Sequence, residues 1–278
     1  MPAVLLLPQT GWLWAGIATA LSAAVLYFSQ RLKLTAPFAL KAILVWNLLA
    51  LGASARLMCN VFPNGSALLG LLILLLASYA ASKGRNVLLR VGGVCVFLLL
   101  IIYGVLLGFS LPDLSAAELS PKTDIAWLVL PAALTPLLAL QLREENETVH
   151  LLWLVCMAVF ATLAALVSSG SADFYSAMKS VSVMDVMQRL EPLVSVALTI
   201  GGFCLLGMIC FANEKLLSQV YPQKKKFAMP INLIVGGVGL WVSAFVSGAF
   251  YAVGTAIFWG CLPLLTQVVE KLKKPEKN

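Results

Sequence analysis

Long apolar stretches alternate with short polar loops along almost the whole chain. About 20 apolar residues are needed for a helix to cross roughly 30 Å of hydrocarbon, and nine stretches approach or reach that length. They run approximately over 10–29, 37–58, 66–82, 87–110, 124–142, 149–169, 192–213, 230–247 and 251–269. Unbroken apolar runs favour helices over a β-barrel, whose strands show short alternating segments. The pattern predicts an all-α polytopic membrane protein with about nine transmembrane helices in one domain, 1–278.

The composition supports the same class of protein. Hydrophobic residues make up 61% of the chain and charged residues only 11%, whereas soluble domains carry about 25% charged residues. A water-soluble domain would need more polar surface than this chain can supply. We therefore expect its function to be exerted across or within a bilayer.

The basic residues predict the orientation of the chain. With the amino end outside and the carboxyl end in the cytoplasm, 15 of the 19 Lys and Arg lie near inward-facing helix ends. Such an excess is the positive-inside signal. The net charge of +7 is thus explained by topology and by attraction to anionic headgroups, without a nucleic-acid partner. We interpret the lysine cluster 224–226 as a solvated anchor rather than a specific lipid site.

The sequence contains no recognisable catalytic or metal-binding pattern. Its six cysteines form no CxxC pair, and its one histidine, His150, cannot hold a metal by itself. A Gly-rich phosphate loop, a Ser/His/Asp order and paired intramembrane carboxylates are also missing from the sequence. We therefore predict a protein that is not an enzyme, with no catalytic residue, no metal site and no cofactor.

The fifth span is interrupted by two prolines, Pro131 and Pro136. Each removes a backbone donor and disfavours helix at the preceding residue. Irregular backbone at membrane depth is tolerated inside a bundle or beside a cavity, and broken helices bind substrate in secondary transporters. A simple proline kink and a ligand site both fit this pattern. The candidate ligand-binding residues are Pro131, Ala132, Ala133, Thr135 and Pro136, with Asn47, Ser54, Gly201 and Gly202 as residues that could face them.

The outer loop before the seventh span has near-helical apolar spacing over about 172–189, which predicts an amphipathic helix in the membrane interface. It could pack over the mouth of the bundle, or act as a lid or docking surface. Charged residues near the outer helix ends are the candidates for a gate or an interface. They are Arg56, Asp185, Arg189 and Glu191.

The stretch from Phe174 to Phe203 contains Arg189-Leu190-Glu191 and then Gly202-Phe203. In this order it resembles the B-subunit permeases of bacterial spore germinant receptors, which carry an interfacial segment, an Arg-Leu-Glu and a helix with a central Gly-Phe. The inward loop 80–90 and the position of Arg56 are similar to that family as well. The resemblance extends over essentially the whole chain, through diffuse motifs.

This resemblance implies the fold of the amino acid–polyamine–organocation superfamily, in which ten helices form two inverted repeats (LeuT-like). The first and sixth helices are broken there, and our fifth span would be the sixth helix. Residues 1–12 look like the end of the first helix. We therefore expect a fold in which most of that helix is missing from the sequence. Either an in-frame upstream segment completes the helix, or the protein is divergent and its site is reduced.

Three functional hypotheses follow. The first is a germinant-receptor subunit that senses a small, amino acid-like nutrient and works with a membrane A-type subunit and a lipoprotein C-type subunit. The second is a secondary transporter of amino acids or related solutes. The third is a membrane assembly subunit without a ligand. The expected location is the bacterial cytoplasmic membrane or the inner spore membrane, with the bilayer as partner.

Overall fold

The computed structural model describes residues 36–61, 67–110, 191–242 and 254–263, with the single residues 17, 20, 24, 159, 250, 265, 266 and 269. Every regular element in this part of the chain is helical. The α-helices are α1 (Pro37–Val61), α2 (Ala67–Ser82), α3 (Arg85–Ser110), α4 (Glu191–Val220) and α5 (Ala228–Val242). A 3-10 helix, Pro222–Phe227, joins α4 to α5, and a π-helix spans Ala256–Cys261.

The remaining predicted elements fall mostly where the chain is not described. Except for a few single residues, the spans 10–29, 124–142 and 149–169 lie outside the described ranges, as does the interfacial helix 172–189. The count of nine helices and the LeuT-like arrangement therefore stay predictions.

Among the described residues, three helical stretches are long and apolar enough to cross a membrane: Pro37–Arg56, Arg85–Ile102 and Thr199–Val220. The helices α2 and α5 are apolar but shorter. Length and composition thus make the described bundle compatible with a helical membrane protein.

The helix α4 is longer than its apolar stretch. Its 30 residues extend over about 45 Å at 1.5 Å per residue, which exceeds the hydrocarbon thickness by several turns. The predicted span 192–213 lies inside this helix, which continues through Asn213, Glu214 and Lys215 to Val220. Polar residues ended the apolar pattern there, but they did not end the helix.

A glycine closes the connection between α2 and α3. Gly84 has a φ of +97°, in the left-handed region that glycine adopts without a steric penalty. Its N–H donates to the Ala81 carbonyl oxygen over 3.0 Å, and the Lys83 N–H donates to the Tyr79 carbonyl oxygen over 3.3 Å. These bonds satisfy carbonyl groups at the end of α2, so α3 can begin at Arg85 with almost no loop.

The helices α1 and α5 pack with their backbones in close contact. Gly52 lies against Gly239, and Gly236 lies against Leu51, whose Cδ2 would be 3.1 Å from a Cβ added at Gly236. Residue numbers rise together along both helices at these contacts, so α1 and α5 run in the same direction.

The helix α2 runs opposite to α1 and also packs against α5. At one end Gly70 lies against Cys59, and further along Leu74 reaches Gly236. The core is apolar and is centred on α1, α2, α4 and α5. By contrast, only 6% of the stretch 85–102 in α3 is buried, whereas 18-residue windows within 37–56 and 199–220 are 61% and 56% buried. Within the described bundle, α3 is therefore peripheral.

Candidate functional site

Asn47, in the middle of α1, lies on the buried side of that helix. Its exposed fraction is 0%, although an amide in an apolar interior costs free energy unless it is hydrogen-bonded. The indole Nε1–H of Trp259, on the π-helix, donates to Asn47 Oδ1 over 2.5 Å. The bond joins two residues 212 positions apart and ties α1 to the carboxyl-terminal part of the chain.

This bond fixes the orientation of the Asn47 amide. Indole N–H is a donor only, so the oxygen of Asn47 must face Trp259 and the NH₂ group must point elsewhere. Asn47 Nδ2 is buried and has no hydrogen-bond partner among the described residues. A buried donor without an acceptor costs about 1–3 kcal/mol. Among the described residues, Asn47 thus contributes an oriented donor that has no acceptor.

Aromatic rings and a glycine pack around Trp46, the residue that precedes Asn47. The ring of Trp46 stacks on Phe258 with centroids 5.1 Å apart and planes 15° apart, and Phe250 is tilted against it at 6.3 Å. Gly254 lies directly on the Trp46 indole, where an added Cβ would overlap the ring. Trp46 is only 3% exposed, so an apolar aromatic contact lies in the same turn of α1 as Asn47.

The π-helical turn places these residues. A π-helix has an i→i+5 hydrogen-bonding pattern and is rare, occurring mostly as short segments that are frequent at functional sites. Here it spans Ala256–Cys261 and contains both Phe258 and Trp259. Both of its aromatic residues thereby contact the same turn of α1.

A second amide cluster links α4 to α5. Asn232 Nδ2 donates to the Cys210 carbonyl oxygen over 3.2 Å, and Asn213 Nδ2 donates to Asn232 Oδ1 over 2.9 Å. A carbonyl oxygen only accepts, so these bonds fix both amides. Asn213 Oδ1 is left buried and without a partner among the described residues.

The two clusters lie at a similar depth. Asn47 precedes Leu51 by one turn in α1, and Asn232 precedes Gly236 by one turn in α5. Since Leu51 contacts Gly236 and the helices run in the same direction, both asparagines lie about 6 Å below that contact. We call Asn47, Asn213, Asn232 and Trp259 the polar layer. Within the described part of the chain it contains one donor and one acceptor without a hydrogen-bond partner, Asn47 Nδ2 and Asn213 Oδ1.

The other predicted site residues are partly described. Ser54 is buried, at 5% exposure, about two turns from Asn47 in α1. Gly201 and Gly202 are buried in α4, and a Cβ added at Gly201 would meet no described residue within 4 Å. That these two glycines face a ligand therefore stays a prediction.

The gate candidates and the proline-interrupted span are largely outside the described part of the chain. Arg56 is half-buried near the end of α1, and Glu191 is the first residue of α4. Neither is placed by the structure against a ligand or another gate residue. The predictions that lie outside the described residues are Pro131, Ala132, Ala133, Thr135, Pro136, Asp185 and Arg189.

Sequence reasoning missed most of the polar layer. Asn232 was not singled out, because it lies only five residues into α5, beside a proline and near the polar loop. Trp46, Trp259 and Gly254 look like ordinary apolar residues of a span. A polar amide within an apolar run was the available signal, and it pointed to Asn47 but not to its partner Trp259.

The described residues contain no group of three His, Cys, Asp or Glu side chains that could hold a metal ion. No protein family, curated protein or solved structure matches the chain.

Proposed function

We propose that this protein is a permease-like integral membrane protein that recognises a small polar solute within its helix bundle. The observation that carries the proposal is the buried and oriented NH₂ group of Asn47, which has no acceptor among the described residues. In hydrocarbon surroundings such a donor favours an acceptor strongly, and a carboxylate or carbonyl group of a solute would supply one. Small-molecule sites combine apolar walls with a few placed polar groups in this way.

The specific form we propose is the membrane subunit of a spore germinant receptor. Support comes from the resemblance at 174–203 and 80–90. The ligand would be an amino acid-like nutrient, since it offers a carboxylate to Asn47 and an ammonium group to an acceptor such as Asn213 Oδ1. In this role the subunit works with a membrane A-type subunit and a lipoprotein C-type subunit.

Ligand binding is tested with purified protein in lipid nanodiscs and a panel of amino acids. A ligand at 100 times its Kd stabilises the folded state by about 2.7 kcal/mol, which appears as a rise in unfolding temperature. We expect Asn47→Ala to abolish this rise, while Ser82→Ala, at the exposed end of α2, keeps it. A nutrient response that persists in Asn47→Ala would contradict the proposed site.

Germination assays test the receptor role. Spores whose chromosomal copy carries Asn47→Ala should lose the response to the nutrient that stabilises the purified protein. Normal germination together with unchanged co-purification of the other subunits would argue against a sensing role and leave the assembly role.

The second candidate is a secondary transporter, which the Pro131–Pro136 interruption favours. Uptake of the stabilising solute into proteoliposomes under sodium or proton gradients distinguishes the two. Concentrative uptake that is lost in Pro131→Ala or Thr135→Ala supports transport, and binding without uptake supports sensing.

A further inference from the structure

Charge is distributed very unequally between the two ends of the described bundle. Of the nine Lys and Arg in the described residues, only Arg56 lies toward the end where α4 begins. At the other end the described residues contain a single carboxylate, Glu214. The eight basic residues of that end are Lys41, Lys83, Arg85, Arg90, Lys215, Lys224, Lys225 and Lys226. We call it the basic end.

The helix directions place these residues together. The turn between α2 and α3, at 83–84, and the 3-10 helix between α4 and α5 both belong to this end. The helix α1 begins there as well, because it runs in the same direction as α5. Lys41 is in its second turn and is exposed.

Exposed aromatic side chains accompany the charges. Within the described residues the basic end carries four large ones: Phe38 (77% exposed), Tyr79 (51%), Tyr221 (43%) and Phe227 (60%). Aromatic residues of this kind are enriched at headgroup depth, where one part of the ring is apolar and the other is hydrated. This combination of aromatic rings and lysines is typical of a surface that lies at the level of lipid headgroups.

Two of the lysines are held over tyrosine rings. Lys83 Nζ lies 4.9 Å from the centroid of the Tyr79 ring, and Lys224 Nζ lies 5.6 Å from that of Tyr221. Both lysines are exposed. A cation–π contact restrains the flexible side chain, so less conformational entropy is lost when an anion binds to the ammonium group.

We infer that the basic end is a binding site for the phosphate headgroups of anionic phospholipids, with Lys83 and Lys224 as two of its contacts. The lysine cluster 224–226 is then part of a lipid site and not merely a solvated anchor, as the sequence suggested. The aromatic flank is what favours a lipid over a soluble acidic protein, because such rings would otherwise be exposed to water beside the charges.

The experiment measures lipid retention by native mass spectrometry after reconstitution in equal amounts of phosphatidylglycerol and phosphatidylcholine. We expect the unmodified protein to retain phosphatidylglycerol preferentially. Lys83→Gln and Lys224→Gln should each reduce that preference about fivefold, since a basic residue near an anionic surface contributes about a factor of five to binding. Lys83→Arg and Lys224→Arg should preserve it.

Arg56→Gln is the matched control, because it removes a positive charge from the other end and should leave the preference unchanged. Monodisperse elution in gel filtration establishes that each variant is folded. The inference is overturned if the Lys83→Gln/Lys224→Gln double variant retains phosphatidylglycerol as well as the unmodified protein. Equal competition by soluble glycerol phosphate, or retention of an acidic protein without any lipid preference, would overturn it too.

Discussion

Gly239 of α5 lies so close to Gly52 of α1 that a Cβ added to Gly239 would be 2.9 Å from the Gly52 Cα. The two backbones are therefore in direct contact. Between apolar helices in a bilayer there is little hydrophobic driving force, and close backbone approach at small residues is a main source of attraction. This contact also sets the relative height of α1 and α5, and with it the depth that Asn47 and Asn232 share.

Gly239→Ala is expected to destabilise the protein by about 1–3 kcal/mol, the usual cost of overpacking, because the clash is with backbone and cannot be relieved by a rotamer change. Thermal unfolding in detergent measures the effect. Gly237→Ala, in the same helix, is the control: its Cβ would meet Leu71 Cδ2 at 3.6 Å, an ordinary contact. Equal unfolding temperatures for the two variants would mean that α1 and α5 are not in backbone contact.

The Asn47–Trp259 bond should appear as a coupling energy. Asn47→Ala and Trp259→Phe each break the same hydrogen bond, so the double variant should be less destabilised than the sum of the single variants, by about 0.5–3 kcal/mol. Unfolding in mixed detergent micelles of all four proteins gives the cycle. Additive effects would show that the two side chains do not interact.

The sequence predicted where helices occur better than it predicted which residues of different helices are in contact. Helices occur where apolar stretches predicted them in the described ranges, because a helix satisfies its own backbone groups within one segment. The end of α4 was missed for a physical reason: Glu214 and Lys215 leave the apolar pattern but are good helix formers. Hydropathy marks the membrane boundary and not the helix boundary.

For the candidate site, the sequence indicated single residues but did not indicate the residues that they contact. Asn47 is conspicuous as an amide in an apolar span, and that alone marks it. Its partner Trp259 is 212 residues away, and nothing local in the sequence encodes a contact at that separation. Gly52 and Gly239 show the same limit, since a glycine permits close approach wherever it occurs, and the sequence does not say which two glycines meet.

For the amide pair of α4 and α5, we expect that replacing both asparagines destabilises the protein less than replacing Asn232 alone. Asn232→Leu removes the acceptor of Asn213 Nδ2 and leaves Asn213 with both ends of its amide buried and unsatisfied, at about 1–3 kcal/mol. Replacing both asparagines by leucine removes the unsatisfied groups, so the double variant should recover much of that loss. Urea or detergent unfolding measures it. A double variant less stable than Asn232→Leu would indicate that Asn213 has another essential partner.

The orientation of the bundle can be tested at the two ends of α2. The basic end should face the cytoplasm, because Lys and Arg near helix ends are retained on that side during insertion. Alkaline phosphatase fused after Gly65 should be active, since it folds outside the cytoplasm, and the same enzyme fused after Gly84 should be close to background. Green fluorescent protein at the same two positions should give the opposite pattern. Replacing Lys83, Arg85 and Arg90 by glutamine, in a phosphatase fusion placed after residue 90, should raise the phosphatase activity. Without these charges the segment is held less strongly on the cytoplasmic side. Phosphatase activity that is high after Gly84 and absent after Gly65 would reverse the orientation and place the basic end outside.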